Sequence, residues 1–192
     1  MAFLLILAAL CLVSTAAPAA GGIRRVDFQN FAFPWDVPKD EVPSTWKWIG
    51  PASSSVRLIN GRHDFGEPEI PRYATPYVML RSVTYGDVDG DGTDDAAVDL
   101  LYSTGGTANW HYVYVYVFRH GKPKLAARLQ SGSRSDGGLI KTAIQNGWLV
   151  LDFADTDRRT ADCCSEGYVR VGYRWKGGRF VEVGEREHGD LR

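Results

Sequence analysis

The stretch that decides the fold is "HYVYVYVFRHGKPKLAARLQS", residues 111–131. Its first ten residues alternate with a period of two and are rich in tyrosine and valine, a pattern typical of a β-strand. The segment "HGKP", residues 120–123, has turn chemistry, and "KLAARLQS" after it again has the length of a strand. Because a short turn joins neighbouring strands antiparallel, this stretch predicts a β-hairpin.

Six further segments with the same alternation lie on the two sides of this hairpin. They are rich in Val, Tyr, Ile and Leu and are separated by turn signals such as "NG" at 146–147 and "KGG" at 176–178. The segments are "YVMLRSVTYG", "AAVDLLY", "LIKTAIQ", "WLVLDFA", "YVRVGYRW" and "RFVEVGE". We therefore predict an all-β domain over residues 77–192, an antiparallel meander of about eight strands that forms a sandwich or a partly closed barrel.

Residues 20–76 differ from this domain because they hold seven of the nine prolines, a spacing that excludes long helices. The segment is not a disordered linker, since its aromatic side chains are too apolar to leave in water. These aromatics are Phe28, Phe31, Phe33, Trp35, Trp46 and Trp48. We predict a proline-rich extended arm that packs on the β domain, with "VDFQNF" and "TWKWIG" as short strands.

Residues 1–19 have the features of a secretory signal peptide. They carry no charged side chain, contain an apolar run over residues 3–13, and end in the A-x-A pattern at residues 17–19. The run is shorter than the roughly 20 apolar residues of a membrane span. We predict cleavage after Ala19, export to the periplasm or the medium, and no membrane span in the cleaved protein. The alternative is an uncleaved helix, for which Arg24-Arg25 would favour a cytoplasmic location of that side.

The composition is sufficient for one domain and argues against nucleic-acid binding. A chain of 192 residues that is 44% hydrophobic is long enough to bury a core. Its 22 Lys and Arg against 23 Asp and Glu leave a formal net charge of -1, so there is no excess of basic residues for a phosphate backbone.

Acidic charge is instead concentrated in "YGDVDGDGTDDAAV", residues 85–98, which connects two predicted strands. Alternate aspartates and a glycine at position 6 of the turn are the pattern of a curled loop whose oxygens point inward to a cation. Five aspartates within nine residues, with no Lys or Arg among them, also repel one another unless a cation is bound. We predict a structural Ca²⁺ site, rather than Mg²⁺, with an acidic turn as the alternative. The predicted ligands are Asp87, Asp89, Asp91, the carbonyl of Thr93, and Asp95.

The same residues carry a family resemblance. "YGDVDGDGTDDAAV" resembles the D-x-D-x-D-G-x-x-D loop of FG-GAP repeats, the calcium-binding hairpins of integrin α-subunit propellers and related bacterial surface repeats. The resemblance implies calcium ligands at those five positions, in a single copy that does not imply a propeller. From "VDFQNFAFPW" through "YSTGGT", "SGSRSDGG" and "DCC", the chain also resembles a family of uncharacterised exported bacterial proteins of one domain, which implies no activity.

Two adjacent cysteines, Cys163 and Cys164, remain once the signal peptide is removed. Neighbouring cysteines cannot cross-link distant parts of a chain with each other. Three alternatives follow: a vicinal disulfide, a reduced pair in a shielded site, or pairing with another chain. A vicinal ring would either rigidify a turn or, being easily reduced, serve a redox role.

No catalytic motif of the G-x-S-x-G, H-E-x-x-H or P-loop type occurs in the sequence, and no histidine has an acid or nucleophile partner by local spacing. Two loops are candidate ligand sites. They are "SGSRSDGG" with Arg134 and Asp136, and "YSTGGTANW" with Trp110 as a platform. A solvated or flexible turn is the alternative for both loops.

Two classes of function are compatible with these features. We expect an exported, non-catalytic β-domain, stabilised by calcium, that binds a protein or a glycan or serves an envelope role. The alternative is an extracytoplasmic enzyme or a redox protein that uses the pair Cys163 and Cys164.

Overall fold

The computed structural model describes residues 22–36, 46–66, 71, 75–106, 109–133, 136–161 and 164–191. The predicted signal peptide, residues 1–19, lies outside them. The described residues form fourteen strands and three short 3-10 helices, and none of their helices has the length and apolarity to cross a membrane. The strands are β1 (Ala32–Trp35), β2 (Lys47–Ile49), β3 (Ser54–Arg57), β4 (Arg62–Asp64), β5 (Tyr77–Gly86), β6 (Asp95–Ser103), β7 (Asn109–Arg119), β8 (Lys122–Gln130), β9 (Leu139–Gln145), β10 (Trp148–Ala154), β11 (Arg159–Ala161), β12 (Cys164–Ser165), β13 (Gly167–Lys176) and β14 (Arg179–Asp190).

Two antiparallel sheets make up the body of the domain. The larger has the order β2-β8-β7-β6-β5-β4 and the smaller the order β14-β13-β10-β9, while β1-β3 and β11-β12 form separate two-stranded sheets. The chain runs as a meander from β5 to β8 and then continues into the second sheet at β9. The predicted all-β sandwich is therefore confirmed, with all eight predicted strands present, and the sheets are not closed into a barrel.

The predicted turn chemistry explains how these strands reverse. His120 and Gly121 have φ of 51° and 74°, and Asn146 and Gly147 have φ of 52° and 75°. Two successive residues in the left-handed region are characteristic of the type I′ turn, whose twist matches that of the strands it joins. Each two-residue turn thus fixes an antiparallel pair, β7 with β8 and β9 with β10.

The alternation of Tyr and Val in β7 results from burial on both faces of the larger sheet. Its valines, such as Val113 and Val115, pack between the two sheets in a cluster that includes Leu149 and Phe153. Its tyrosines belong to a second cluster on the opposite face, which the N-terminal segment covers. A strand in the middle of three layers has no solvated face, so both of its side-chain sets are apolar.

Residues 22–36 of the arm pack on the tyrosine face as expected, while β2 and β4, also from the predicted arm, are the outer strands of the larger sheet. Phe33 is fully buried, with its ring centroid 5.2 Å from that of Tyr114, and the hydroxyl of Tyr114 donates to the carbonyl of Pro34 at 2.7 Å. The short strand expected in "TWKWIG" is confirmed as β2. The one expected in "VDFQNF" is wrong, because Phe28–Asn30 forms a 3-10 helix in which the Asp27 carboxylate accepts from the N–H of Gln29.

Candidate metal centre

The acidic loop lies between β5 and β6, and its two ends are held together by the pairing of Gly86 with Asp95. Inside the loop, the carboxylate of Asp87 accepts backbone N–H groups from Gly90 at 2.6 Å and from Gly92 at 2.8 Å. Both of these glycines have φ near +80°, a conformation that other residues rarely adopt. The glycines therefore allow the loop to curl around the Asp87 side chain.

This curl brings three carboxylates together. Asp87, Asp89 and Asp95 each offer an oxygen, and these oxygens all lie within 4.8 Å of one another. All three were predicted as ligands from their spacing. Carboxylate oxygens are the type of donor that a hard divalent cation binds, and these three would supply part of the six to eight ligands that Ca²⁺ takes.

Asp95 is the most deeply buried of the three carboxylates. Its side chain is fully buried and accepts backbone N–H groups from Val88 at 3.0 Å and from Phe118 at 2.9 Å. The pKa of Asp95 is raised from 3.8 to about 6, first by burial and then by the carboxylates of Asp89 and Asp87, against the lowering effect of the two N–H groups. A nearby cation would favour the ionised form of this carboxylate.

Asp89 has a buried carboxylate with one oxygen that lacks a hydrogen-bond partner among the described residues. Its side chain is 2% exposed, and the oxygen without a partner is Oδ1. Its other oxygen accepts from the guanidinium of Arg119. Burial raises the pKa of Asp89, Arg119 lowers it, and the Asp87 carboxylate raises it again. A buried carboxylate oxygen with no partner is costly, and a metal ion would satisfy it.

The other two predicted ligands lie beside this cluster. Asp91 also contacts the Arg119 guanidinium, and its Oδ1 accepts the backbone N–H of Thr93 at 2.8 Å. Thr93 is thus fixed by a turn within the loop. The sequence did not point to Arg119, which lies at the end of β7. Only the pairing of β6 with β7 brings it to the loop.

The three carboxylates could hold a divalent metal ion. Asp87, Asp89 and Asp95 would bind it with hard oxygen atoms, and Asp91 is linked to Asp89 through the Arg119 guanidinium. The ion would supply positive charge that fixes the β5–β6 connection, with no chemical step attached to it.

The cysteine prediction is only partly within the described residues. Cys164 is exposed and disulfide-bonded, while Cys163 lies outside the described residues. The vicinal pairing of Cys163 with Cys164 therefore stays a prediction.

The two predicted ligand loops do not present one common site. Arg134 lies outside the described residues, and the carboxylate of Asp136 pairs with Arg159 at 3.2 Å. Trp110 is 7% exposed and stacks on Tyr102 with ring centroids 5.9 Å apart. Its indole is part of the core cluster under the arm, so it has no open face on which a ligand could stack.

Two histidine–aspartate pairs were not found from local spacing, because cross-strand contacts form them. His111 Nδ1 lies 2.8 Å from Asp99 Oδ1, and His188 Nδ1 lies 2.9 Å from Asp155 Oδ2. Both aspartates are buried. Among the described residues, no hydroxyl or thiol side chain hydrogen-bonds either imidazole.

Comparison with known proteins adds no family. No protein family model matches the chain, and neither a curated protein nor a solved structure gives a match. The FG-GAP resemblance of the acidic loop therefore stays a prediction that rests on the loop residues themselves.

Proposed function

We propose that this protein is an exported, non-catalytic β-domain that is stabilised by a structural calcium ion and binds a protein or a glycan partner. The observation that supports the calcium site is the convergence of Asp87, Asp89 and Asp95, in which one buried oxygen of Asp89 has no partner among the described residues. Export rests on the features of residues 1–19.

The charge balance of the loop supports a divalent cation. Four aspartates, Asp87, Asp89, Asp91 and Asp95, lie in or at the end of this loop, and the Arg119 guanidinium contacts two of them, Asp89 and Asp91. One positive charge leaves this group strongly negative, and burial of Asp89 and Asp95 makes the imbalance more costly. Calcium suits a flexible set of oxygen donors better than magnesium, which demands a small octahedral shell.

Thermal unfolding of the purified protein tests the calcium site. The melting temperature is measured with excess Ca²⁺, with a chelator, and with Mg²⁺ as the control. At a hundredfold excess of calcium over Kd we expect a rise of roughly 5–10 °C, because binding to the folded state alone adds about 2.7 kcal/mol. Equal melting temperatures with calcium and with chelator would leave the loop an acidic turn.

A second candidate function is redox chemistry, which the exposed, disulfide-bonded Cys164 favours. An accessible disulfide can be attacked by an external thiolate. The test is equilibration of the protein with glutathione buffers of graded potential. A redox role requires a potential within the range of oxidoreductase disulfides, whereas a structural disulfide stays oxidised throughout that range.

A further inference from the structure

The outer face of the four-stranded sheet carries a trough that crosses all its strands. Leu149, Leu151 and Phe153 of β10 point into the core, so Val150 and Asp152 between them point outward. The register places one small residue from each strand in a single row across this face. That row, which forms the floor of the trough, is Ala143, Val150, Gly172 and Val183.

The trough is large enough for a small ligand. One depression of about 570 Å³ lies over β10, β13 and β14, and a second of about 210 Å³ lies over β9, β10 and β13. The two depressions are adjacent, because Gln145, Val150 and Arg170 line both of them. Volumes of roughly 300–1,000 Å³ are typical of small-molecule sites.

A row of charged side chains forms one side of the trough. The register aligns Lys141, Asp152, Arg170 and Glu187, one from each strand. Arg170 donates to both oxygens of Asp152, at 2.8 Å and 3.0 Å, and more weakly to Glu187 at 3.3 Å. The two positive and two negative charges sum to zero. This row is therefore fixed in position and neutral, yet it keeps donors and free lone pairs.

An indole ring forms the other side. Trp148 packs over Gly172, where an added Cβ would lie 3.1 Å from its ring, so the absence of a side chain at residue 172 lets the ring lean across the floor. The Arg174 guanidinium lies 4.9 Å from the ring centroid, which fixes the ring by a cation–π contact. The trough thus has an aromatic side, an apolar floor and a polar side.

We propose that this trough binds a neutral oligosaccharide, which names the partner class of the binding module proposed above and rests on that proposal. A sugar ring has apolar C–H faces for the indole, and its hydroxyls can accept from Arg170, donate to Asp152, and do both with the amide of Gln145. A neutral row of side chains does not select for anionic ligands. A peptide strand would leave its backbone groups unpaired here, because the sheet face offers side chains only.

The proposal is tested first by binding of the protein to immobilised neutral and acidic glycans. Calorimetric titration with the soluble trisaccharides of glucose and N-acetylglucosamine then measures the affinity. We expect the protein to bind neutral glycans and to bind acidic glycans no more tightly than neutral ones. Trp148→Ala should weaken binding about tenfold, which is about 1.4 kcal/mol, because it removes the ring on which the sugar stacks. Trp148→Phe should retain most of the affinity. Arg170→Lys, which keeps the charge and loses the two-pronged donor, should also weaken it.

The control is Ile59→Ser, which removes an exposed apolar side chain outside the trough and should leave binding unchanged. Absence of binding to every neutral glycan, binding of acidic glycans alone, or equal affinity of the wild type and Trp148→Ala would each overturn the proposal. The calcium-dependent melting temperature is measured on the same samples. A chain that responds to calcium but binds no neutral glycan contradicts the trough and not the calcium site.

Discussion

The guanidinium of Arg119 contacts the buried carboxylate of Asp89, 30 residues earlier in the chain. It also contacts Asp91 in the same loop. This cation therefore comes from the end of β7, where it stands opposite carboxylates that we propose as calcium ligands. A side-chain cation and a metal ion at one group of carboxylates would compete for the same oxygens.

Replacing Arg119 should show how much the arginine and the calcium ion each contribute to stabilising these carboxylates. Arg119→Gln is expected to destabilise the calcium-free protein by about 2 kcal/mol, since it removes a charged hydrogen bond from a buried carboxylate. The loss should become smaller when calcium is saturating, because the ion then supplies the positive charge. Chemical denaturation with calcium and with chelator measures both free energies of unfolding.

Arg24→Gln is the matched control for this prediction. Arg24 pairs with Asp94 of the same loop at 2.6 Å, but its side chain is 49% exposed, and such a pair contributes roughly 0–1 kcal/mol. An Arg119 variant whose loss of stability is the same with and without calcium would contradict the idea that arginine and calcium meet the same carboxylates.

Removing single carboxylates should identify the calcium ligands. Asp89→Ala and Asp91→Ala are each expected to abolish the calcium-dependent rise in melting temperature while leaving the fold intact at low temperature. Asp94→Ala should retain the rise, because Asp94 is not one of the predicted ligands and its carboxylate accepts from Arg24. A calcium response that persists in both the Asp89 and the Asp91 variants would refute the ligand assignment.

The sequence predicted the features that depend on neighbours along the chain. Period-two alternation and two-residue turns are local, so all eight strands of the main domain could be found. The spacing of Asp87, Asp89 and Asp95 within one loop is local too. Arg119 and the His111–Asp99 pair could not be found, because the pairing of β6 with β7 creates these contacts. Alternating Tyr and Val also does not reveal which face the arm covers.

Two tyrosines of the covered face should respond differently to loss of the hydroxyl. Tyr114 donates to the carbonyl of Pro34 at 2.7 Å, whereas the buried hydroxyl of Tyr116 has no partner among the described residues. Tyr114→Phe is therefore expected to cost about 1 kcal/mol of stability at neutral pH, and Tyr116→Phe to be neutral or stabilising. Denaturant titration of the two variants measures the difference, and equal losses would contradict it.

The same tyrosines predict how stability changes at high pH. Burial raises the pKa of Tyr112, Tyr114 and Tyr116 above the ordinary value of 10. The folded state then keeps protons that the unfolded state loses, so the free energy of unfolding falls as the pH rises above 10. Tyrosinate absorbance should therefore appear together with the loss of native circular dichroism. Ionisation of these tyrosines in the native protein near pH 10 would contradict their burial.

Arg128 should be the side chain that holds the arm to the larger sheet. It is 4% exposed, and its guanidinium donates to the carbonyl of Gly50 at 3.0 Å and to that of Pro34 at 3.2 Å. Both acceptors belong to the arm, so Arg128→Met is expected to lower stability by about 2 kcal/mol through the loss of charged hydrogen bonds. It should also make the arm more sensitive to limited proteolysis, because the arm can then detach locally.

The matched control for Arg128 is Arg57→Met. The Arg57 guanidinium donates to the carbonyl of Asn30 at 2.9 Å, an exposed contact between two residues of the arm that does not join the arm to the larger sheet, and exposed substitutions usually change stability by less than about 0.5 kcal/mol. If both variants lose the same stability and their arms are cut at the same rate, Arg128 holds the arm no more than a surface residue does. If only Arg128→Met exposes the arm, the aromatic contacts and the pairing of β2 with β8 do not keep the arm in place without Arg128.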